Sequence, residues 1–383
     1  MKCKLSDICS FRKGKVEVEN LNAKNYISTE NMLPNKCGIT EASSLPTVSL
    51  TQEYNSGDVL VSNIRPYFKK IWQAEYDGGC SNDVLVFVPK PNTDKDFLYY
   101  VLADDDFFTY SMATSKGTKM PRGDKTSIMQ YEVSLIDLQV QKKIASVLKA
   151  LDERIKLNNE INNNLEQQIS ALFINMFGFN IDNLVENKFS LGDLVESVDN
   201  RGKTPPLSDK PTSYPIIDVK ALSGDIRIVD YNNCTKYVDE ETYNNWFRSG
   251  HPKQYDILIS TVGSLAEMKI FLGYIGCIAQ NVVGFRSKGV SPLYLYQYLN
   301  YIKSDLVAYN IGSVQPSIKV THIIKHPIYV APQDELDKFD SVARSITEKI
   351  FANCQENEDL KLLRDTLLPK LMSGELDVSD IDL

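Results

Sequence analysis

The chain has 383 residues, 43% hydrophobic and 24% charged, with 15 Phe and 20 Tyr; this is long for one core, favouring two domains or an internal repeat, and too apolar for a disordered polymer. The start Met1-Lys2-Cys3-Lys4-Leu5-Ser6-Asp7 holds no apolar leader core and no run nears the ~18 apolar residues that span a bilayer, so a cytoplasmic protein without membrane contact is expected. Seven scattered cysteines with no CxxC pair argue against a disulfide framework and a zinc site, and the net charge of −8 is concentrated late, since residues 332–383 carry 13 acids against 6 bases and leave about −1 on the rest.

In chain order, residues 1–136 read as a β-rich block. Short apolar runs such as Val59-Leu60-Val61 and Val84-Leu85-Val86-Phe87 are bounded by Gly, Asp and Asn turn signals. Residues 137–180 hold almost no Gly or Pro and repeat apolar side chains at seven-residue spacing, which predicts a long helix with the stripe Ile144, Leu148, Leu151, Ile155, Asn158, Asn162, Leu165, Ile169, Leu172. A second β-rich block, with Ile257-Leu258-Ile259 and Val282-Val283, spans 181–330. A second helix and a tail occupy 331–383, with the stripe Phe339, Ala343, Ile346, Ile350, Asn353, Asn357, Leu360, Arg364, Leu367.

The second half copies the first. Lys13-Gly14-Lys15 returns as Arg201-Gly202-Lys203, and Tyr26 with Glu30 as Tyr214 with Asp218, 188 residues later. Gly57 to Ser62 returns as Tyr255 to Ser260 at 198, and Cys80 as Cys277 at 197. Gly117-Thr118, Pro121, Thr126 and Ile128 return as Gly312-Ser313, Pro316, Thr321 and Ile323, all at 195, a register that the helices keep without a gap. Asn interrupts both stripes at matching places. A buried amide costs stability but fixes register, so an antiparallel coiled coil about a local two-fold is expected, with Asn158 near Asn357 and Asn162 near Asn353. The fold class that follows is α/β (α+β), with two globular blocks and two spacer helices of ~58 Å each in a pseudo-two-fold tandem repeat.

Two-fold-related halves suit a ligand with two half-sites, and duplex DNA is one. The candidate contacts are the basic loops: Arg12, Lys13 and Lys15; Arg65, Lys69 and Lys70; Lys116, Lys119, Arg122 and Lys125. Arg201, Lys203, Thr204, Ser264, Ser313, Gln315 and Lys319 are their counterparts in the second half. No phosphate-binding loop, dinucleotide fingerprint or HExxH is present, and His251, His322 and His326 have no metal-ligand spacing. Asp218-Val219-Lys220 has the D-x-K form of metal-dependent nucleases, but its aligned triplet, Glu30-Asn31-Met32, has no Lys, so no metal site is assigned.

With the repeat established, the chain resembles the specificity subunits of type I restriction-modification systems. The resemblance rests on Tyr26-Ile27-Ser28-Thr29-Glu30-Asn31-Met32, on Gln141-Lys142-Lys143-Ile144-Ala145, on Gly202-Lys203-Thr204-Pro205-Pro206, and on the run from Leu363 to Leu376. It implies two target recognition domains, each reading one half of an interrupted site in double-stranded DNA, with the helices setting the gap. It also implies two methyltransferase subunits and two restriction subunits as partners. S-adenosylmethionine, ATP and Mg2+ are expected on those partners, with no cofactor in this chain. Two rival readings, a self-contained DNA methyltransferase or nuclease and a coiled-coil scaffold, lack respectively a catalytic motif and an explanation for duplicated basic loops.

Overall fold

The computed structural model of the chain describes residues 2–183, 189–200, 202, 204–273 and 275–378. Its contacts divide the chain into two compact units, Met1–Ile155 with Glu358–Leu383, and Lys156–Asn357. The division falls inside both long helices, Leu138–Phe173 and Gln333–Ser373, so the units cut across the segments 137–180 and 331–383. With 36 and 41 residues the helices are ~54 and ~62 Å long. The first continues through a π turn at Ile174–Gly178 into Phe179–Asp182.

In the first unit four antiparallel strands lie in the order Cys9–Phe11, Val84–Pro89, Val59–Ser62, Ile71–Gln73. The central runs are apolar at every position because both faces of the sheet are covered. Val59, Val61, Leu85 and Phe87 pack with Phe97, Phe107, Ile144 and Leu148, and with Leu368 and Leu371 of the second long helix. Leu60, Val84 and Val86 face the other way, onto Ile27, Met32, Tyr54 and Cys80. A second sheet runs Lys15–Glu17, Leu50–Tyr54, Gly78–Cys80, Tyr26–Ile27, its last pair parallel. Each fully buried Val, Leu, Ile or Phe contributes ~1.5–3 kcal/mol, so these two layers carry most of the unit's stability.

The second unit repeats the plan with Val195–Val198, Val282–Ser287, Ile257–Ser260, Met268–Ile270, and beside it Tyr237–Val238, Tyr214–Ile217, Cys277–Ile278. Ile257, Ile259, Val283 and Phe285 join Ile169, Phe173, Phe339 and Ile350 of the long helices, while Leu258 and Val282 face Val198, Ile217 and Leu222.

Strand register corrects two equivalences. The Ser81 amide donates to the Ile27 carbonyl at 2.8 Å and Ala279 to Ile217 at 2.9 Å, which sets the copies 198 and 190 residues apart on these strands. Cys80 therefore answers to Ile278 rather than Cys277, and Tyr26 to Ile216 rather than Tyr214. By the same shift Asp218-Val219-Lys220 answers to Ser28-Thr29-Glu30. Asp218 accepts from the Lys220 amide at 2.9 Å, and Ser28 Oγ from the Glu30 amide at 3.2 Å. The acid of the D-x-K triplet is thus a turn cap, and among the described residues no three metal-ligating side chains gather.

Within the second unit the long helices run antiparallel. Asn158 Nδ2 donates to Asn357 Oδ1 at 3.0 Å and to Glu356 at 2.9 Å; Asn353 Nδ2 donates to Asn162 Oδ1 at 2.8 Å; Asn357 Nδ2 donates to Asn159 at 2.9 Å. All four stripe amides are buried. Beside them Arg227, fully buried, is held by Glu166 through its backbone amide (2.8 Å), Nε (3.0 Å) and Nη2 (2.7 Å), and donates to Thr347 Oγ1 at 3.0 Å. The block is thereby tied to one residue of each long helix. In the first unit Asp152 plays the corresponding part, accepting from Arg364 Nη1 at 2.7 Å and from the Tyr100 hydroxyl at 2.8 Å.

Candidate nucleic-acid interface

In the first unit the interface candidates converge where residues 63–70 meet residues 114–125. Arg65 and Lys69 adopt left-handed φ of 51° and 49° around the turn Pro66–Phe68, which folds the first loop back on itself. Ile64 bridges to Arg122, the Arg65 amide donates to the Pro121 carbonyl at 2.8 Å, and Lys116 and Arg122 exchange two 2.9 Å bonds. The approach is close at Gly123, where a Cβ would stand 2.7 Å from Asn63 Oδ1 and 2.8 Å from Ile128 Cδ1 and would have to push those side-chain ends aside. Asp124 then caps the turn Lys125–Ile128, accepting from the Ser127 amide at 2.9 Å.

The second unit builds the same junction from different side chains. Val262 bridges to Ser317, the Gly263 amide donates to Pro316 at 2.9 Å, and Ile311 to Ser317 at 3.0 Å. Ser264, Ser313, Gln315 and Lys319 are exposed around it, and Val314 at the tip is 98% exposed. Thr204 Oγ1 donates to Gln280 Oε1 at 3.2 Å, which brings the segment 204–207 against this junction. Thr204, Gln280, Asn281 and Gln315 line one open cleft of about 360 Å³ with Asp218 and Lys236. Arg201 and Lys203, expected here, lie outside the described residues.

The structure separates the expected cations into committed and available groups. Arg12 is turned inward: its Nε and Nη2 hold the buried Asp58 at 2.5 and 2.9 Å and Nη1 lies 3.6 Å from Glu53, so this guanidinium serves the fold rather than a ligand. Asp256 of the second unit is held the same way, but by Arg286 of a different strand, at 2.7 Å. Lys69 shares Asp105 with Lys36 at 2.7 and 2.8 Å. Lys70 Nζ donates to the Thr29 carbonyl at 2.6 Å, and burial lowers the pKa of its ammonium. Lys116 pairs with Asp124 at 2.6 Å and its hydrogen bond holds that carboxyl down at about 2. Arg122 pairs with Asp83 at 3.1 Å while remaining 56% exposed. Lys13, Lys15, Lys119 and Lys319 are exposed and form no ion pair among the described residues; Lys125 is exposed with its ammonium 5.9 Å from the Phe11 ring centroid. Lys13 and Lys15 stand at the outer edge of the second sheet, apart from the loop junction in sequence. Sequence reasoning did not single out Asp83; only the 198-residue register, which sets it opposite Asn281, could have drawn attention to it.

The profile of the type I restriction modification DNA specificity domain matches this chain twice, over residues 1–167 and 185–352. The chain belongs to this family. Each match contains one complete loop junction, so a specificity domain here comprises a β-rich block and part of its following long helix. The chain is 25% identical to the type I restriction enzyme MjaIX specificity subunit of Methanocaldococcus jannaschii over 77% of its own length and 72% of the relative's. It is 24% identical to the HindI specificity subunit of Haemophilus influenzae, covering 92% and 94%. The crystal structure of the type I restriction-modification S subunit from M. genitalium shares its fold, with a TM-score of 0.56 at 16% identity, covering 97% of this chain and 96% of that one. Among the described residues no helix is long and apolar enough to cross a membrane.

Proposed function

We propose that the chain is the DNA sequence-reading subunit of a type I restriction-modification complex and performs no catalysis itself. The first specificity domain reads one half of an interrupted site and the second reads the other. The observation that carries this is the duplicated loop junction: two copies of one backbone frame, each inside a match to the DNA specificity family, each with different side chains at its tip. A pair of identical readers would recognise two identical half-sites. A pair with a common frame and divergent tips recognises a split, asymmetric one.

In this reading the antiparallel helices set the gap between the half-sites, and the asparagine cluster holds their register. Two methyltransferase subunits dock on the helical region and bring S-adenosylmethionine; two restriction subunits bring the ATP and Mg2+ chemistry; cytoplasmic DNA is the substrate. The acidic balance of residues 332–383 suits a protein partner better than a polyanion.

Methylome sequencing of cells carrying this chain with its methyltransferase subunit tests the proposal. A split motif is expected, and replacing residues 189–330 by the corresponding block of a relative should rewrite one half alone. Absence of any split motif, or a motif indifferent to the exchange, refutes it.

A further inference from the structure

We propose that Arg122, oriented by Asp83, is the base-reading side chain of the first domain and takes the major-groove edge of a guanine. This rests on the DNA-reading function proposed above and adds to it the chemistry of one position.

Four backbone contacts at the loop junction recur in both units: Asn63 to Asp83 and Thr261 to Asn281 (both 2.8 Å), the bridges Ile64–Arg122 and Val262–Ser317, Arg65 to Pro121 and Gly263 to Pro316, Lys116 to Arg122 and Ile311 to Ser317. Within this shared frame the side chains differ, and one of the differences removes an ion pair. Where the first unit has Asp83 and Arg122 in an ion pair, the second has Asn281 and Ser317. An exposed ion pair adds little stability, ~0–1 kcal/mol, so folding gives no strong reason to keep it.

Its geometry suits recognition. The Arg122 backbone is pinned by both of its own hydrogen bonds to Lys116, and Gly123 locks the next residue against Asn63. Only Nη2 engages Asp83, at 3.1 and 3.2 Å from its two oxygens; Nη1 and Nε have no partner among the described residues. Nη2 carries two hydrogens, so with one directed at Asp83 the other still lies parallel to an Nη1–H, and this fork matches the O6 and N7 acceptors of guanine and no other base edge as well. Lys119 and Lys125, exposed on the same loop, supply flexible charge for the flanking phosphates, which position the duplex without reading it.

The test uses the full chain in complex with its methyltransferase subunits. In the Arg122→Ala complex, methylome sequencing should show one guanine of one half-motif becoming degenerate while the other half stays intact, which also reports that the protein is folded. Binding of the wild-type complex to duplexes carrying 7-deazaguanine at each guanine of that half in turn should weaken roughly 5- to 150-fold at a single position. In Arg122→Ala the same substitution should have no effect. As a control, Lys119→Ala should weaken binding to every sequence alike and reduce its salt dependence. An unchanged motif in Arg122→Ala, or a first half-motif without guanine, overturns the assignment of Arg122 and leaves the DNA-reading function standing. Failure of the wild-type complex to mark any split motif overturns both.

Discussion

Replacing Glu166 by Ala removes the one carboxylate that holds Arg227 among the described residues. The guanidinium is fully buried and Glu166 is 14% exposed, so the pair falls in the buried class rather than the surface one. Three hydrogen bonds to Glu166 are lost, and what remains is Thr347 at 3.0 Å and Gln297 at 3.5 Å, both uncharged. Leaving a buried charge without its counterion costs about 3–5 kcal/mol. In a unit of roughly two hundred residues each kcal/mol moves the melting temperature by ~2–4 °C, so its transition should fall by about 6–20 °C in differential scanning calorimetry. Arg227→Met combined with Glu166→Leu should recover most of that loss, because an apolar pair of similar volume has no desolvation penalty to offset. A fall of less than ~2 °C in Glu166→Ala would refute the reasoning, since it would place the pair in the solvent-screened range.

Three further outcomes follow from the same geometry. Asn158→Leu with Asn357→Leu should raise the melting temperature, since Asn158 Oδ1 is buried with no hydrogen-bond partner among the described residues, while broadening the helix register seen by disulfide trapping between the long helices; a lower melting temperature with a single trapped register contradicts it. Lys13→Ala with Lys15→Ala should weaken DNA binding and flatten its salt slope by up to about two units; an unaltered slope means that this edge faces away from phosphate. His326 is buried and His251 half-buried, and desolvation lowers the pKa of each below the ordinary 6.5. The unfolded chain therefore binds protons that the folded chain refuses, so stability should fall as pH drops through about 6.5 and below. His251→Gln with His326→Gln should flatten that part of the pH profile in chemical denaturation.

The duplication, the two long helices and the partner asparagines could be read in the sequence because a helix has one fixed period. Insertion of a residue would turn the whole apolar face away from its partner, so the 195-residue register survives without gaps and its stripe marks the buried side. The β-rich blocks are different. Their strands are joined by loops that absorb insertions, so identity between Cys80 and Cys277 or Tyr26 and Tyr214 misplaced the true register by one or two residues, and hydrogen bonds between strands were needed to set it. The site divides along the same line. Which loops carry positive charge is a property of the chain, and the clustering of Lys116, Lys119, Arg122 and Lys125 is visible there. Which charges are available is a property of the fold, since Arg12 meets Asp58 across 46 residues and Arg122 meets Asp83 across 39. Charge is local, but neutralisation depends on distance, and the tertiary fold decides which distant carboxylate comes within about 3 Å of which cation.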